Sequence, residues 1–203
     1  MSRESLVYFT FNFNILIFCY KTKLTWCFIL YLFLFIALPT ILDLGIAFTM
    51  SPVATLPVLN AQKDFVRNLL QTFTISSSDT RVGFMKYGRD SKLVFRLDSI
   101  MSDQSINQAI SEVASEDPGY NLLSLLKLAG NQFFQQGYGG RPGVAKSLLI
   151  FNNGRSGISI DDLQTEANKL RDMGVKIVVV GISQNVDQSE TVSYTHLTLP
   201  TKA

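Results

Sequence analysis

Apolar residues change their spacing repeatedly after residue 43, and the changes predict strands and helices in alternation. Continuous or alternating apolar runs predict strands at 43–48, 81–87, 92–97, 147–151 and 175–180. Apolar residues three and four positions apart predict helices at 56–73, 105–114, 121–134 and 161–173. Gly174 follows the last of these helices, where a glycine commonly ends a helix.

The order of these elements predicts an α/β fold. Strands separated by helices form right-handed β-α-β units, which build a doubly wound, mostly parallel sheet with helices on both faces. The continuous apolar runs at 147–151 and 175–180 support this arrangement, because strands covered on both faces are apolar throughout. The short spacing between 81–87 and 92–97 predicts a hairpin, which places 92–97 antiparallel at the edge of the sheet.

Residues 1–42 differ in composition from the rest of the chain. Residues 24–42 carry no charge over 19 positions, close to the shortest length that spans a bilayer. Lys21 and Lys23 precede this stretch and Asp43 follows it, which predicts an N-terminus inside and a domain outside the cytosol. A signal peptide, an uncleaved anchor inserted through 24–42, and translated non-coding sequence all remain open. We expect a secreted or membrane-anchored protein in the first two cases.

Charge and cysteine content exclude some functions. The formal net charge is +2 and no dense run of Lys or Arg occurs, so we expect no nucleic-acid partner. Cys19 and Cys27 both precede the predicted domain, which therefore has no disulfide framework.

Two classes of enzyme are disfavoured by the positions of glycine and histidine. A Rossmann-like enzyme needs a glycine-rich phosphate loop after its first strand, and residues 49–54 contain no glycine. A hydrolase of the triad type needs a histidine, and the sole histidine is His196, outside the domain. We therefore expect an interaction module with no cofactor and no catalytic residues.

Five sequence blocks carry a family resemblance. They are NAQKDFVRNLL (60–70), TRVGFMKYG (80–88), KLVFRLDS (92–99), RPGVAKSLLIFNNGRS (141–156) and LRDMGVKIVVVGI (170–182). In order and spacing they resemble the von Willebrand factor A (VWA) domain, particularly those of type VI collagens and matrilins. The resemblance spans 43–191 and implies an extracellular protein-interaction or adhesion unit of a larger protein. Its implied partners are matrix or cell-surface proteins.

The family's metal-ion-dependent adhesion site is degenerate in this sequence. The family supplies ligands from a DxSxS motif after the first strand, a threonine in a later loop and an aspartate after the fourth strand. The corresponding positions here are Thr49, Ser51, Val53, Tyr120 and Asn153. Only Ser51 matches, and both carboxylates are replaced, whereas Mg²⁺ requires several oxygen ligands to displace its water. The resemblance therefore implies a metal-independent domain, with an atypical metal-dependent site as the alternative.

Two loops contain candidate interaction residues. Tyr138 and Arg141 lie in the glycine-rich segment 137–143, and both residue types are frequent at binding hot spots. Asn153 and Arg155 follow the strand at 147–151, where α/β sheets bind ligands. The alternative interpretation is structural in both places: a connecting loop in the first and a turn at Gly154 in the second.

The C-terminal residues resemble translated sequencing adapter. The segment 192–201 reads VSYTHLTLPT, and we treat 192–203 as non-native. The family resemblance then implies that a final helix and a sixth strand are missing from the domain. We expect the edge of the strand at 175–180 to be open and prone to association.

Overall fold

Seven strands are found in the computed structural model, which describes residues 7–10, 16–19, 41–50, 56–99, 102–114, 118–152 and 156–181. The strands are β1 (Val7–Thr10), β2 (Leu16–Cys19), β3 (Leu42–Thr49), β4 (Thr80–Tyr87), β5 (Ser91–Phe95), β6 (Ala145–Asn152) and β7 (Val175–Gly181). They form one sheet in the order β2-β1-β7-β6-β3-β4-β5.

The centre of the sheet is parallel. Strand β3 pairs in parallel with β4 on one side and β6 on the other, and β6 pairs in parallel with β7. Strand β5 pairs antiparallel with β4 at the edge. The predicted doubly wound sheet and its antiparallel edge strand are therefore confirmed.

The helices are α1 (Leu56–Leu70), α2 (Asp103–Glu112), α3 (Leu122–Leu128) and α4 (Ile160–Asp172). Side chains cap two of them: Ser102 Oγ accepts a hydrogen bond from the backbone N–H of Ser105, and Asn121 Oδ1 accepts one from Ser124. Gly174, with φ of 77°, follows α4 as predicted. The predicted helix over 121–134 is present as α3 followed directly by a π-helical turn at Ala129–Phe133, and a separate 3₁₀ turn comes after it at Gln136–Tyr138.

Alternate residues of each central strand face two separate cores. Leu44, Ile46 and Phe48 of β3 pack with residues of α1 and α2. Ala47 faces the other way and packs with residues of α3 and α4. The period of two along a strand produces this division, and it places helices on both faces of the sheet, as the sequence predicted.

The π-helical turn brings an aromatic ring onto the sheet. Gly45 and Gly83 are register partners on β3 and β4, and the Phe133 ring lies directly over both. A Cβ atom at Gly45 would lie 2.7 Å from the ring, and one at Gly83 would lie 2.6 Å from it. The two glycines therefore permit a contact that no larger residue could allow without movement of the ring.

The N-terminal strands were not predicted. Strand β1 pairs antiparallel with β7, with Phe9 opposite Val180. The expectation of an open β7 edge was therefore wrong, because backbone groups of 8–10 pair with that edge. Among the helices of the described segments, none has the length and apolar character needed to cross a bilayer. Most of 24–42 lies outside the described residues, and Leu42 begins β3.

Candidate functional site

The crevice between the carboxyl ends of β3 and β6 is the natural ligand site of this topology. These strands are neighbours, but the chain leaves β3 for α1 on one face and leaves β6 for α4 on the other. Loops that leave in opposite directions open a crevice at this point of a doubly wound sheet, where ligands bind.

The end of β3 contacts the loop that precedes α3. Thr49 and Met50 are buried. The backbone N–H of Met50 donates to the Tyr87 carbonyl at 2.7 Å, and the Met50 carbonyl accepts from the Gly119 N–H at 3.3 Å. Tyr120, half-buried, follows Gly119. The structure thus brings Thr49 and Tyr120, two positions of the degenerate metal site, to the same edge of the sheet.

Hydrogen bonds join the same loop to the β4–β5 turn. The backbone N–H of Asn121 donates to the Gly88 carbonyl at 2.8 Å, and Asn121 Nδ2 donates to the Arg89 carbonyl at 3.0 Å. A Cβ atom on Gly119 would lie 2.4 Å from the Arg89 backbone nitrogen, so this approach requires glycine. Sequence reasoning did not single out Gly119 or Asn121 as important, because their contacts depend on a distant turn.

Neutral polar side chains lie at the carboxyl ends of β3, β4 and β6. Tyr87, at the end of β4, reaches across β3 and donates its hydroxyl hydrogen to the Phe151 carbonyl on β6 at 2.7 Å. Asn152 ends β6 and is buried. A buried phenol, an amide and the Thr49 hydroxyl are polar without carrying charge.

The donors in the described part of this site do not fit a divalent cation. Mg²⁺ needs near-octahedral oxygen ligands, normally with at least one carboxylate, and Thr49 and Tyr120 stand at positions where the family has a carboxylate and a small hydroxyl. Across the described segments, no three His, Cys, Asp or Glu residues are grouped so as to hold a metal ion. Ser51, Val53, Asn153 and Arg155 lie outside the described residues.

Exposed aliphatic side chains stand on both sides of the crevice. Leu56 begins α1 and is 69% exposed, and Ile160 begins α4 and is 38% exposed. Both belong to helices that start at the carboxyl edge of the sheet, on opposite faces. Sequence reasoning had counted them only as parts of amphipathic helices.

The candidate residues Tyr138 and Arg141 belong to another part of the molecule. Arg141 lies at the amino ends of β3 and β4, opposite the crevice. Its Nε donates to the buried Asp43 carboxylate at 2.7 Å, and its other nitrogens donate to backbone carbonyls that include Leu42 and Asp79. Tyr138 is half-buried, with the Arg96 guanidinium 5.3 Å from its ring centre. The Arg141 guanidinium is thus committed to contacts within the chain.

One buried cation supports the packing of α1. Lys63 Nζ donates to the Ser111 carbonyl of α2 at 2.8 Å. Burial of the ammonium group lowers the pKa of Lys63, and the nearby positive charge of Arg67 lowers it further. No substrate-facing role follows, because the amine is directed at the neighbouring helix.

The doubly wound sheet, with uncharged polar side chains at the described carboxyl ends of β3 and β6, defines a domain of the α/β class. The family model described as von Willebrand factor type A domain matches residues 51–194, and the chain belongs to that family. This agrees with the resemblance carried by the five sequence blocks.

Similar proteins include several chains that are much longer than the matched segment. The chain is 30% identical over 141 residues to von Willebrand factor A domain-containing protein 2 of Xenopus laevis, covering 70% of this chain and 18% of that protein. It is 27% identical over 125 residues to Matrilin-1 of Gallus gallus (62% and 25%) and 29% identical over 129 residues to the human collagen alpha-1(XX) chain (63% and 10%). The chain thus spans a quarter or less of these relatives.

Solved structures show the same fold. Proximal thread matrix protein 1 from the mussel byssus, with a zinc-occupied MIDAS motif, has a TM-score of 0.71 at 22% identity, covering 78% of this chain and 43% of that one. The manganese-loaded TRAP protein of Plasmodium vivax has a TM-score of 0.67 at 15% identity, covering 80% of this chain and 66% of that one. At these identities the likeness concerns the fold alone.

Proposed function

We propose that this domain is a protein-interaction unit of a larger extracellular protein, and that it binds its partner at the crevice without a metal ion. The observation that carries the proposal is the buried Thr49 at the end of β3, at the position where the family has its first carboxylate. A crevice that offers hydroxyl and amide groups lacks the charge that would draw a divalent cation from water.

The rim suggests how a partner binds in the absence of a metal. Leu56 and Ile160 are exposed at the first positions of α1 and α4, and the half-buried Tyr120 follows Gly119, whose N–H is bonded to the end of β3. Exposed apolar and aromatic side chains are the residue types that contribute most to the cores of protein interfaces. The relatives named matrilin and collagen support an extracellular matrix or cell-surface partner.

Calorimetric titration with Mg²⁺ and Mn²⁺ tests the metal-independent part of the proposal. We expect no heat of binding for the natural sequence. The matched control is the variant Thr49→Asp, Val53→Ser, Tyr120→Thr, Asn153→Asp, which restores the family's ligands and is expected to bind either ion. A micromolar Kd for the natural sequence would instead favour the atypical metal-dependent site.

Adhesion to decellularised matrix in the presence of EDTA tests the binding surface. We expect Leu56→Ser combined with Ile160→Ser to reduce adhesion by about tenfold, which corresponds to about 1.4 kcal/mol. Val94, also exposed but on the edge strand β5, supplies the control Val94→Ser, which is expected to leave adhesion unchanged. An equal loss of adhesion in the two variants would contradict the proposed surface. A loss of adhesion by the natural sequence when EDTA is added would also contradict it.

The extracellular placement is tested separately. A fusion of residues 1–60 to a glycosylation reporter is expected to be glycosylated, because the uncharged stretch 24–42 follows Lys21 and Lys23. A reporter that stays cytosolic and unglycosylated would count against secretion and against membrane insertion alike.

A further inference from the structure

An uncharged segment that is partly exposed connects α3 to the loop before β6. Residues 128–140 contain no charged side chain. The exposed side chains of this segment are all carboxamides, and they belong to Asn131, Gln132, Gln135 and Gln136. Exposed positions in proteins are more commonly occupied by charged residues. The surface of this segment therefore offers the chemistry of the carboxamide group and no charge.

Gln136 begins the 3₁₀ turn of this segment, and the space next to it is open. Gly137 follows it and is exposed, and a Cβ atom there would meet no other atom within 4 Å. The φ angle of Gly137 is not positive, so the backbone itself does not require glycine at this position. Exposed turns of small and polar residues are the places where proteases reach a folded chain most readily. Other enzymes that modify folded chains need the same access.

The backbone of the turn is held by hydrogen bonds, whereas the Gln136 carboxamide is not. The Tyr138 N–H donates to the Gln135 carbonyl at 2.9 Å, and the Gly139 N–H donates to the Gln136 carbonyl at 3.2 Å. The Gln135 side chain is engaged, because its Nε2 donates to the Gly130 carbonyl at 2.7 Å. Among the described residues, none forms a hydrogen bond with the Gln136 carboxamide. This side chain can therefore enter an enzyme without breaking a contact of the fold.

A glutamine carboxamide can be joined to an amine by acyl transfer, a reaction that needs no oxidant. The cysteine thiol of a transamidating enzyme attacks the glutamine Cδ, and ammonia leaves with the proton of the thiol. The neutral Nζ amine of a lysine then attacks the thioester, and one of its protons returns to the enzyme sulfur. The Cδ–Nε2 bond is thereby replaced by a Cδ–Nζ isopeptide bond, with ammonia as the second product.

We propose that Gln136 is an acyl-donor site through which a transamidating enzyme joins this domain to a lysine of a neighbouring matrix protein. The inference rests on the extracellular placement in the proposed function. The turn lies at the amino edge of the sheet, because the Gly139 carbonyl accepts from Nη1 of Arg81, at the start of β4, at 3.1 Å. The crevice lies at the opposite, carboxyl edge. A bond formed at Gln136 therefore leaves the crevice free to hold a partner.

The test treats the full chain with a calcium-dependent transglutaminase and biotinylated pentylamine, a soluble primary amine. Mass spectrometry measures the label in the tryptic peptide 128–146. We expect Gln136→Asn to lower this label by about tenfold or more, because the asparagine carboxamide is one methylene shorter. The matched control is Gln132→Asn, at an exposed position of the π-helical turn, which is expected to be labelled within about twofold of the natural sequence.

A second variant tests the access to Gln136 and keeps its carboxamide. Gly137→Leu fills the open space beside it, so we expect labelling to slow by about tenfold, because the enzyme can no longer place the carboxamide correctly. Its Tm should be unchanged, since no atom stands in the way of the new side chain. A natural sequence without label in the peptide, label that persists in Gln136→Asn, or an equal loss in Gln132→Asn would overturn the inference.

Matrix adhesion separates this inference from the proposed function. Gln136→Asn is expected to adhere to decellularised matrix as the natural sequence does, but to lose the urea-resistant attachment that enzyme treatment produces. If the Leu56 and Ile160 variant loses adhesion while Gln136 of the natural sequence takes no label, the proposed function stands and this inference alone fails. A labelled Gln136 in a natural chain that does not adhere to matrix would contradict the proposed function alone.

Discussion

Arg141 shows how a residue suited to binding can be used inside the fold. Its guanidinium and backbone N–H both donate to the Asp43 carboxylate, which is fully buried between β4 and β6. Other guanidinium nitrogens donate to the carbonyls of Ser78 and Asp79, in the loop before β4. This one side chain therefore joins the amino ends of β3 and β4 to the loop before β6.

Removal of the Arg141 guanidinium is expected to destabilise the fold. Arg141→Met leaves the Asp43 carboxylate buried without its ion pair, and we expect a loss of about 3–5 kcal/mol in the free energy of unfolding. The control is Lys169→Met, which breaks the exposed ion pair with Glu166 on α4 and is expected to change stability by less than about 1 kcal/mol. Urea denaturation measures both, and similar values for the two variants would contradict the structural role.

A second residue-scale prediction concerns Gln62 on α1. The side chain is 1% exposed, and among the described residues neither its amide nitrogen nor its amide oxygen has a hydrogen-bond partner. Gln62→Met keeps the length of the side chain and removes the unsatisfied amide, so we expect a gain of about 1–3 kcal/mol. Gln104→Met, at an exposed position on α2, is the control and is expected to be nearly neutral. A less stable Gln62→Met protein would show that the amide has a polar partner.

Packing between elements depends on the contact between the π-helical turn and the two glycines. We expect Gly83→Ala to destabilise the domain by about 1–3 kcal/mol, because the new methyl group would collide with the Phe133 ring. The penalty should shrink in a Phe133→Leu background, which lacks the ring. Thermal melts of the four proteins form a double-mutant cycle.

Gly130 provides the control for this cycle. It lies in the π-helical turn, and a Cβ atom there would be 3.7 Å from the nearest Leu170 carbon, an ordinary contact. Gly130→Ala should therefore be neutral or slightly stabilising. Equal penalties for Gly83→Ala with and without the Phe133 ring would show that the collision is not the cause.

Strand β1 pairs with the edge of β7 and so covers that edge. Deletion of residues 1–20 would remove the antiparallel partner of β7, whose buried residues include Val178, Val179 and Val180. An exposed edge of an apolar strand is a template for association, so we expect the shortened chain to form oligomers. Size-exclusion chromatography with light scattering, compared with the full chain, measures the effect. A monomeric shortened chain with an unchanged melting temperature would show that β1 does not protect the edge.

The sequence by itself determined the α/β fold and the five strands of the domain. Apolar runs such as 175–180 show directly that a strand is covered on both faces, and helical spacing shows where helices alternate with strands. The family resemblance also indicated that Thr49 and Tyr120 occupy positions of the same degenerate site. These features could be recognised because they depend on local patterns and on matched sequence blocks.

Only the tertiary structure decided which residues meet across the chain. The hydrogen bonds of Asn121 to the β4–β5 turn, the contact of Phe133 with Gly83, and the internal role of Arg141 all join residues far apart in sequence. The pairing of β1 with β7 joins residues farther apart still. The periodicity of a helix or strand predicts whether a residue of that element is exposed or buried. It carries no information on which distant backbone atom the side chain contacts.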